Sequence, residues 1–358
     1  MPKSVYIHIP FCIKKCAYCS FLSGINPRYK SVYIEKLILE IKNFYKGEIL
    51  ETLYFGGGTP SILEPFEIKK ILDCFNFQNC EITLEMNPKT ADLGKLKAFF
   101  DIGINRISLG VQSFDDDILK IAGRIHNSYD AIKCIENIEL AGFKNFSIDL
   151  MYGLPTQTLE IWQNTLNIAK KLAPPHISLY GLKIEQGSDF YLNPPKDLPD
   201  EDMQADMYEL ALDSFKNYYH YEFSNFAKEK SFCSRHNLTY WNIKPYWGFG
   251  IGAAGFVNNR RYENEIDIEK YLKNPTAQKK FYKTNLLEEH IFLGFRKLEG
   301  INVEEINRIF SIDFNKKYAP QLKKFISSGH IQKTLHGYRL TKTGVMLSNS
   351  VLCEFLDD

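Results

Sequence analysis

The sequence predicts an α/β fold: a partial (β/α)6 TIM-like barrel, followed by a small helical, winged-helix-like C-terminal domain. Two observations predict it. Short strand-like segments alternate with amphipathic helical segments in six units before residue 183, and near residue 285 the pattern changes to helices followed by a short strand pair. Alternating strands and helices indicate parallel strands joined by helical crossovers, and six units are fewer than the eight of a closed barrel.

Six hydrophobic, β-rich segments predict the barrel strands. They lie at 4–9, 51–55, 81–86, 106–111, 145–150 and 176–182. Between them, apolar residues at helical spacing predict helices, for example at 28–45 and 159–172. Residues 1–185 are therefore the predicted barrel core.

The second half of the chain is organised differently. Proline-rich residues 193–199 predict a connection and residues 200–217 a helix, both within an extension that spans 186–284. Residues 285–358 form the predicted C-terminal domain. Its predicted elements are helices at 286–298, 303–309 and 316–326, a strand pair at about 330–340, and a last helix. Helices followed by a hairpin are typical of a winged helix, but a fold does not by itself establish a function.

Composition and charge exclude several classes of protein. The chain has 358 residues, 44% hydrophobic and 24% charged, which excludes wholesale disorder and a coiled-coil rod. No apolar run approaches the roughly 18 residues that span a bilayer, and the first residues do not resemble a signal peptide. We therefore expect a cytoplasmic protein. With 44 Lys and Arg against 43 Asp and Glu, no general affinity for nucleic acid is expected.

Three of the eight cysteines form a compact group. Cys12, Cys16 and Cys19 have C-x3-C-x2-C spacing on the loop that leaves the first strand. Three thiolates can bind three irons of a 4Fe-4S cluster and leave the fourth iron open to an external ligand. The alternative is a zinc site completed by His8. The five single cysteines are expected to be small buried hydrophobes, as free cysteines commonly are.

Polar residues follow the predicted strands where each strand ends. A glycine-rich turn, Gly56–Pro60, follows the second strand, and Glu85, Gln112 and Asp149 end the third, fourth and fifth. Glycines let the backbone approach a ligand closely. The carboxyl ends of barrel strands meet at one face, so these residues predict a ligand site there.

The segment Tyr6–Cys19, which reads YIHIPFCIKKCAYC, resembles the cluster motif of radical S-adenosylmethionine (SAM) proteins. Within them it is similar to the coproporphyrinogen III oxidase-like family, and the resemblance continues to about residue 256. It implies a partial barrel that holds a 4Fe-4S cluster and SAM at the carboxyl ends of its strands. By resemblance, the SAM contacts are Tyr6, Tyr18, Gly57, Gly58, Thr59, Glu85, Gln112, Arg124, Asp149 and Lys183.

This family contains oxygen-independent coproporphyrinogen III oxidases and a group of heme chaperones. The oxidases carry one more cysteine shortly after the cluster motif, giving a C-x-C ending, whereas Phe21 occupies that position here. The oxidases also have a longer segment before the cluster, whereas eleven residues precede Cys12. Both differences favour the heme-chaperone group.

A second motif, HNLTYW, begins at His236 and resembles the HNxxYW motif associated with heme in that group. A neutral imidazole is a competent axial iron ligand, and aromatic rings can cover a porphyrin. The resemblance implies that His236 binds the heme iron, supported by Asn237, Tyr240 and Trp241. Cys233 is an alternative thiolate ligand.

Two positions depart from the pattern of the heme chaperones. Relatives often read GAHS in the glycine-rich segment after the motif, whereas residues 252–256 read GAAGF and contain no histidine. Heme binding here is then weaker or relies on His236 alone. Ser20 also replaces an aspartate common after the third cluster cysteine, with a small expected effect, since neither side chain is needed as a cluster ligand.

The resemblance therefore implies a heme chaperone that carries a 4Fe-4S cluster and SAM and passes heme to acceptor hemoproteins. It also implies a homodimer and peripheral contact with the membrane. Two alternatives remain open. One is a coproporphyrinogen III oxidase that uses a SAM-derived radical. The other is a zinc-stabilised interaction protein with a DNA-binding C-terminal domain.

Overall fold

The computed structural model describes residues 1–277 and 279–356. Six barrel strands pair in parallel with their neighbours in chain order. They are β1 (Ser4–Ile9), β2 (Ile49–Gly57), β3 (Asn76–Met86), β4 (Arg106–Gln112), β5 (Asn145–Tyr152) and β6 (His176–Gly181). The predicted α/β class and the six predicted strands are confirmed.

Helices fill the crossovers between these strands. They are α1 (Lys30–Phe44), α2 (Pro65–Leu72), α3 (Leu93–Asp101), α4 (Asp116–Ile121), α5 (Ser128–Leu140) and α6 (Leu159–Leu172). Side chains that accept hydrogen bonds from first-turn N–H groups define several starts, such as Asp92 for α3 and Thr158 for α6. Apart from α4, whose Ile118 packs in a separate small cluster, the buried faces of the helices and strands share one hydrophobic core.

The region after β6 adds short strands to both ends of this sheet. Its strands are β7 (Tyr219–Glu222), β8 (Asn225–Ala227), β9 (Tyr246–Phe249), β10 (Ala254–Val257), β11 (Arg260–Glu263) and β12 (Lys280–Tyr282). Its helices are α7 (Asp189–Leu192), α8 (Glu201–Ser214), α9 (Arg235–Trp241) and α10 (Ile268–Lys273). Only the helix now labelled α8 was predicted from the sequence.

The order of strands in the complete sheet is β12-β11-β10-β9-β1-β2-β3-β4-β5-β6-β8-β7. Strand β9 pairs in parallel with β1, and β8 pairs antiparallel with β6. The first strand of the chain is therefore in the interior of the sheet, between β9 and β2.

The C-terminal region has its own hydrophobic core and a three-stranded antiparallel sheet in the order β13-β15-β14. Its elements are α11 (Leu286–Arg296), β13 (Ile301–Asn302), α12 (Val303–Phe310), α13 (Phe314–Lys317), α14 (Ala319–Ser327), β14 (Ile331–Lys333), β15 (Gly337–Leu340), α15 (Lys342–Met346) and α16 (Ser348–Cys353). The winged-helix-like class is confirmed.

Two details of the C-terminal prediction were wrong. The helix predicted at 316–326 is divided into α13 and α14, with Pro320 in the first turn of α14, where its missing N–H is tolerated. The last helix is likewise divided into α15 and α16. The short strand β13 was not predicted.

A buried ion pair attaches the extension to the barrel. Lys279 Nζ lies 2.8 Å from Glu40 Oε1, and the two side chains are 3% and 1% exposed. The same carboxylate accepts hydrogen bonds from Tyr271 Oη (2.7 Å), the Gly250 backbone N–H (2.8 Å) and Asn264 Nδ2 (2.9 Å). One carboxylate on α1 thus contacts four positions of the extension, at residues 250, 264, 271 and 279.

Within the described ranges, no helix combines the length and the apolar composition that crossing a bilayer requires.

Candidate functional site

The three motif cysteines lie on the loop that follows β1, and each is half-buried. Backbone hydrogen bonds join this loop to the glycine-rich turn after β2: Gly58 N donates to Ile9 O (2.8 Å) and Thr59 N donates to Phe11 O (2.8 Å). The sulfur of Cys12 is 3.5 Å from Thr59 Oγ1. The cysteine loop and the glycine-rich turn therefore form one unit at the carboxyl ends of β1 and β2.

The thiols of this loop have separate neighbours. Arg124 Nη1 donates to Cys16 Sγ at 3.2 Å, and Cys19 Sγ is 4.0 Å from Ser23 Oγ. Across residues 1–277 and 279–356, no three His, Cys, Asp or Glu side chains are grouped closely enough to hold a single metal ion. A zinc ion needs ligands that converge on one atom, whereas thiolates of an iron–sulfur cluster bind different irons.

His8, the candidate fourth zinc ligand, has both ring nitrogens in use. Its Nε2–H donates to Leu22 O (2.7 Å), and its Nδ1 accepts from Tyr6 Oη (3.0 Å). Burial lowers the pKa of His8, which favours the neutral form of the ring. This arrangement does not favour the zinc alternative.

The glycine-rich turn has no room for a Cβ atom at two of its positions. Gly57 has φ +112°, and a Cβ there would lie 2.6 Å from the His8 ring. A Cβ on Gly58 would lie 2.6 Å from Phe11 O and 3.0 Å from Cys12 Sγ. Glycine is therefore required at both positions, and it leaves backbone open beside the cysteine loop.

Glu85 faces the same region from the end of β3. Its carboxylate accepts hydrogen bonds from Tyr54 Oη (2.8 Å) and the Gly57 backbone N–H (3.1 Å). Burial, and secondarily the nearby Asp149, raise the pKa of Glu85 to about 7, although the two hydrogen bonds oppose this rise. Burial also raises the pKa of Asp149, which accepts a hydrogen bond from Ser108 Oγ at 3.2 Å. Both acids are suited to a cationic ligand group.

Arg124 reaches the cysteine loop from the segment after α4. Besides Cys16, it contacts Tyr18 Oη (3.5 Å), Asn87 Oδ1 and Gly110 O. Among residues 1–277 and 279–356, its buried Nε has no hydrogen-bond partner. A buried guanidinium beside a thiol, with one N–H unpaired, is suited to an anionic group at this position.

The backbone near Arg124 is unusual. Gln112, at the end of β4, is buried and has φ +70°, a left-handed conformation that is uncommon for a residue other than glycine. The pairing of β4 with β5 shifts register at this point. Backbone strain of this kind is often found at functional sites.

Most of the residues predicted to bind SAM surround this region. Tyr6, Gly57 and Glu85 are connected through Tyr54 and His8, while Tyr18, Thr59 and Arg124 border the cysteines. Lys183 is exposed just after β6, and over the described part of the chain its side chain has no hydrogen bond to the others. The thiols, the open glycine backbone, the two acids and Arg124 together fit a cluster with SAM.

The second predicted site is the helix α9. His236 is 1% exposed, its Nδ1 is 2.8 Å from Thr52 Oγ1, and its Nε2 is 2.7 Å from Tyr240 Oη. The ring stacks on Tyr54 with centroids 5.0 Å apart. Burial, with a smaller effect of Arg106, lowers the pKa of His236 to about 3, so the imidazole is neutral. In this arrangement neither nitrogen is free to bind iron.

The other residues of the heme motif have different surroundings. The guanidinium carbon of Arg296 lies 4.3 Å from the centroid of the Trp241 ring. The rings of Tyr240 and Tyr246 meet edge to face, with their centroids 4.7 Å apart. Asn237 is half-buried, and its backbone N–H donates to Ser234 Oγ (3.2 Å). Burial raises the pKa of the Cys233 thiol to about 11, which disfavours the thiolate form at neutral pH.

Three residues that organise the two sites were not singled out from the sequence. Thr52 and Tyr54 lie on β2 and share one face with Gly56 because side chains alternate along a strand. Glu81, on β3, accepts hydrogen bonds from the backbone N–H groups of Arg235 (3.2 Å) and His236 (3.0 Å) at the start of α9. Alternation along β2 was the available signal for the first two. Nothing local in the sequence connects Glu81 with a helix 154 residues later.

Comparison with known proteins defines the class first. Residues 6–169 match the family model of the radical SAM superfamily, and residues 282–347 match that of the HemN C-terminal domain. The solved structure of coproporphyrinogen III oxidase (HemN) from Escherichia coli, a radical SAM enzyme, aligns with a TM-score of 0.86 and 21% identity. The alignment covers 99% of this chain and 90% of that one, and it shows a common fold.

Curated relatives are more similar in sequence. The heme chaperone HemW of Lactococcus lactis subsp. lactis (strain IL1403) is 37% identical, over 100% of this chain and 98% of that protein. The heme chaperone HemW of Bacillus subtilis (strain 168) is 34% identical, over 99% and 100%. The chain belongs to the HemW family of radical SAM proteins.

Proposed function

We propose that this chain is a heme chaperone: it binds heme, transfers it to acceptor hemoproteins, and carries a 4Fe-4S cluster with SAM. The observation that carries the proposal is the similarity, over essentially the whole chain, to proteins named heme chaperone. The cysteine loop and the acids around it support the cofactor part. Together they supply the thiols and the carboxylates that a site for a cluster and SAM requires.

In this proposal, the thiolates of Cys12, Cys16 and Cys19 would hold the cluster, and SAM would bind beside it. The cluster, when bound, supplies an electron source next to SAM. Glu85 accepts a hydrogen bond from a donor group of SAM. The backbone at Gly57 and Gly58 lets SAM approach closely, and Arg124 balances negative charge near Cys16.

His236 is the proposed axial ligand of the heme iron. Because both of its nitrogens are hydrogen-bonded, ligation requires the contact with Thr52 or with Tyr240 to break. Movement of α9, or rotation of the His236 side chain, therefore accompanies heme ligation. The neutral state of the ring favours this role, since an imidazole binds iron through a deprotonated nitrogen.

Coproporphyrinogen III oxidation is the second candidate function. The observation that favours it is that most of the candidate SAM residues lie around the cysteine loop, an arrangement which a protein that only stores heme would not need. Phe21, 67% exposed, occupies the position of the additional cysteine that the oxidases carry, and this counts against it.

One experiment separates the two functions. The protein is purified anaerobically, its cluster is reconstituted, and parallel samples are tested for heme binding and for conversion of coproporphyrinogen III to protoporphyrinogen IX with SAM and a reductant. We expect stoichiometric heme binding without conversion. SAM-dependent conversion would overturn the chaperone in favour of the oxidase.

Matched cysteine variants test the cluster. We expect the C12S/C16S/C19S variant to lose iron and sulfide and to retain heme binding. The control is C74S/C353S, which changes two cysteines outside the loop and keeps the full iron content. Unchanged iron and sulfide in the triple variant would reject the cluster assignment.

A further inference from the structure

A crevice lies between the barrel and the C-terminal domain, away from the cysteine loop. Its volume is about 220 Å³. Helix α8 and strand β7 form one side, and the segment after α11, strand β15 and helix α15 form the other. Four aliphatic side chains supply the apolar walls: Leu212, Leu298, Leu340 and Val345.

Two cations border the crevice. Arg339 and Lys342 both line it, and both are exposed. The only acid near Lys342 for which the structure gives an ion pair in the described ranges is Glu209, at 3.4 Å, where both side chains are about half exposed. Residues 314–353, between Asp313 and Glu354, contain seven Lys and Arg and no Asp or Glu, so this stretch of the C-terminal domain carries a net positive charge.

The size of the crevice limits its ligand. Pockets that bury a drug-sized molecule have volumes of about 300 to 1,000 Å³, so a cavity of about 220 Å³ takes one part of a larger ligand. Apolar walls with two cations at the border match a flat apolar molecule that carries two carboxylates on one edge. Heme has this chemistry.

We propose that this crevice binds the carboxylate-bearing edge of heme. Arg339 and Lys342 bind the two propionates, and the aliphatic walls contact the adjoining edge of the ring. This assignment rests on the proposed chaperone function and adds a location to it. Because the crevice takes only one edge, the rest of the ring, with the iron that His236 is proposed to bind, lies outside the crevice.

The crevice is connected to the heme motif through a three-residue segment. Leu298 lines the crevice, Lys297 Nζ donates to Asn242 Oδ1 (2.8 Å) just after α9, and Arg296 stacks on Trp241. A ligand in the crevice would therefore contact Leu298, two residues after Arg296, which packs on α9 through Trp241.

The test compares heme with its dimethyl ester, in which both carboxylates are blocked. The variant R339Q/K342Q is titrated with each probe by absorbance, as the reconstituted full chain. We expect its affinity for heme to fall about three- to thirtyfold, as for the loss of two exposed ion pairs, and its affinity for the ester to match that of the unmodified protein. The control K316Q/K323Q removes the same charge elsewhere on the C-terminal domain and leaves both affinities unchanged.

The outcomes are distinguishable. Equal heme affinity in R339Q/K342Q and the unmodified protein, or equal losses for heme and ester, overturns the crevice assignment while the chaperone function stands. Failure of the unmodified protein to bind heme overturns the proposed function itself. Both variants change exposed side chains, and circular dichroism checks that they remain folded.

Discussion

At the residue scale, Tyr54 connects the two candidate sites. Its hydroxyl donates to Glu85 in the candidate SAM site, and its ring stacks on His236 in the candidate heme motif. It lies on β2, whose far end leads into the glycine-rich turn. Movement of Glu85 or of His236 would therefore displace Tyr54, which contacts both.

The Tyr54→Phe variant tests the hydroxyl alone, because the ring remains against His236. The hydrogen bond from Tyr54 favours the ionised form of Glu85, so its loss raises a pKa that is already about 7. If ionised Glu85 binds a donor group of SAM, SAM affinity decreases as the pH falls through this pKa. We expect the midpoint to move to higher pH in the variant, measured by anaerobic calorimetry from pH 6 to 9. If the variant and the unmodified protein had the same pH midpoint, ionisation of Glu85 would not control SAM affinity. Tyr129→Phe, which changes an exposed tyrosine, serves as the control.

The His236→Ala variant separates two roles of this histidine. Two buried hydrogen bonds and a stacked ring are lost, so we expect the free energy of unfolding to fall by about 2–4 kcal/mol. If His236 also binds the heme iron, the Soret band shifts and heme affinity decreases. A destabilised variant with an unaltered Soret band and affinity would leave His236 with a structural role only. His330→Ala, on the C-terminal domain, is the matched control.

At the scale of elements, helix α9 shows why some elements could not be predicted from the local sequence. The helix has seven residues, and an isolated helix of this length is unstable in water. Its start is determined by Ser234 and by Glu81 on a distant strand. By contrast, the barrel strands were predicted because each is a hydrophobic segment of five to seven residues between helical patterns. The short strands β7 to β12 have three or four residues and no clear alternation, so only tertiary pairing defines them.

The Glu81→Gln variant tests the start of α9. A carboxylate at a helix N-terminus accepts from unpaired N–H groups and interacts favourably with the helix dipole, and an uncharged amide does so less well. We expect a loss of about 1–2 kcal/mol in unfolding free energy, measured with urea. The control is Glu51→Gln, an exposed acid on the neighbouring strand paired with Lys3, with an expected change below about 0.5 kcal/mol. Equal small losses in both variants would contradict a capping role for Glu81.

At the scale of the whole molecule, the sequence predicted the candidate SAM site better than it predicted how the extension packs on the barrel. The rule that barrel sites form at strand carboxyl ends correctly grouped Glu85 with the glycine-rich turn. No such rule joins Glu40 on α1 to Lys279 near the end of the extension. Their contact spans 239 residues and depends on how the complete chain folds.

The Lys279→Met variant tests this attachment. It leaves the Glu40 carboxylate buried with its cation removed, and loss of one partner of a buried pair typically costs about 3–5 kcal/mol. We expect a loss of that size in chemical denaturation. Lys3→Met, which breaks an exposed pair, should change stability by less than about 1 kcal/mol. A loss in Lys279→Met no larger than in Lys3→Met would show that the remaining hydrogen-bond donors suffice for Glu40.

The place of β1 between β2 and β9 has a consequence for the order of assembly. Chains emerge from the ribosome amino end first, and β9 (Tyr246–Phe249) is made more than 200 residues after β1. Until then, the strand that leads into the cysteines has an unpaired edge. A cluster inserted during synthesis would therefore meet a loop whose base is still open on one side. Pairing of β9 with β1 must wait for a long-range closure, which is intrinsically slow.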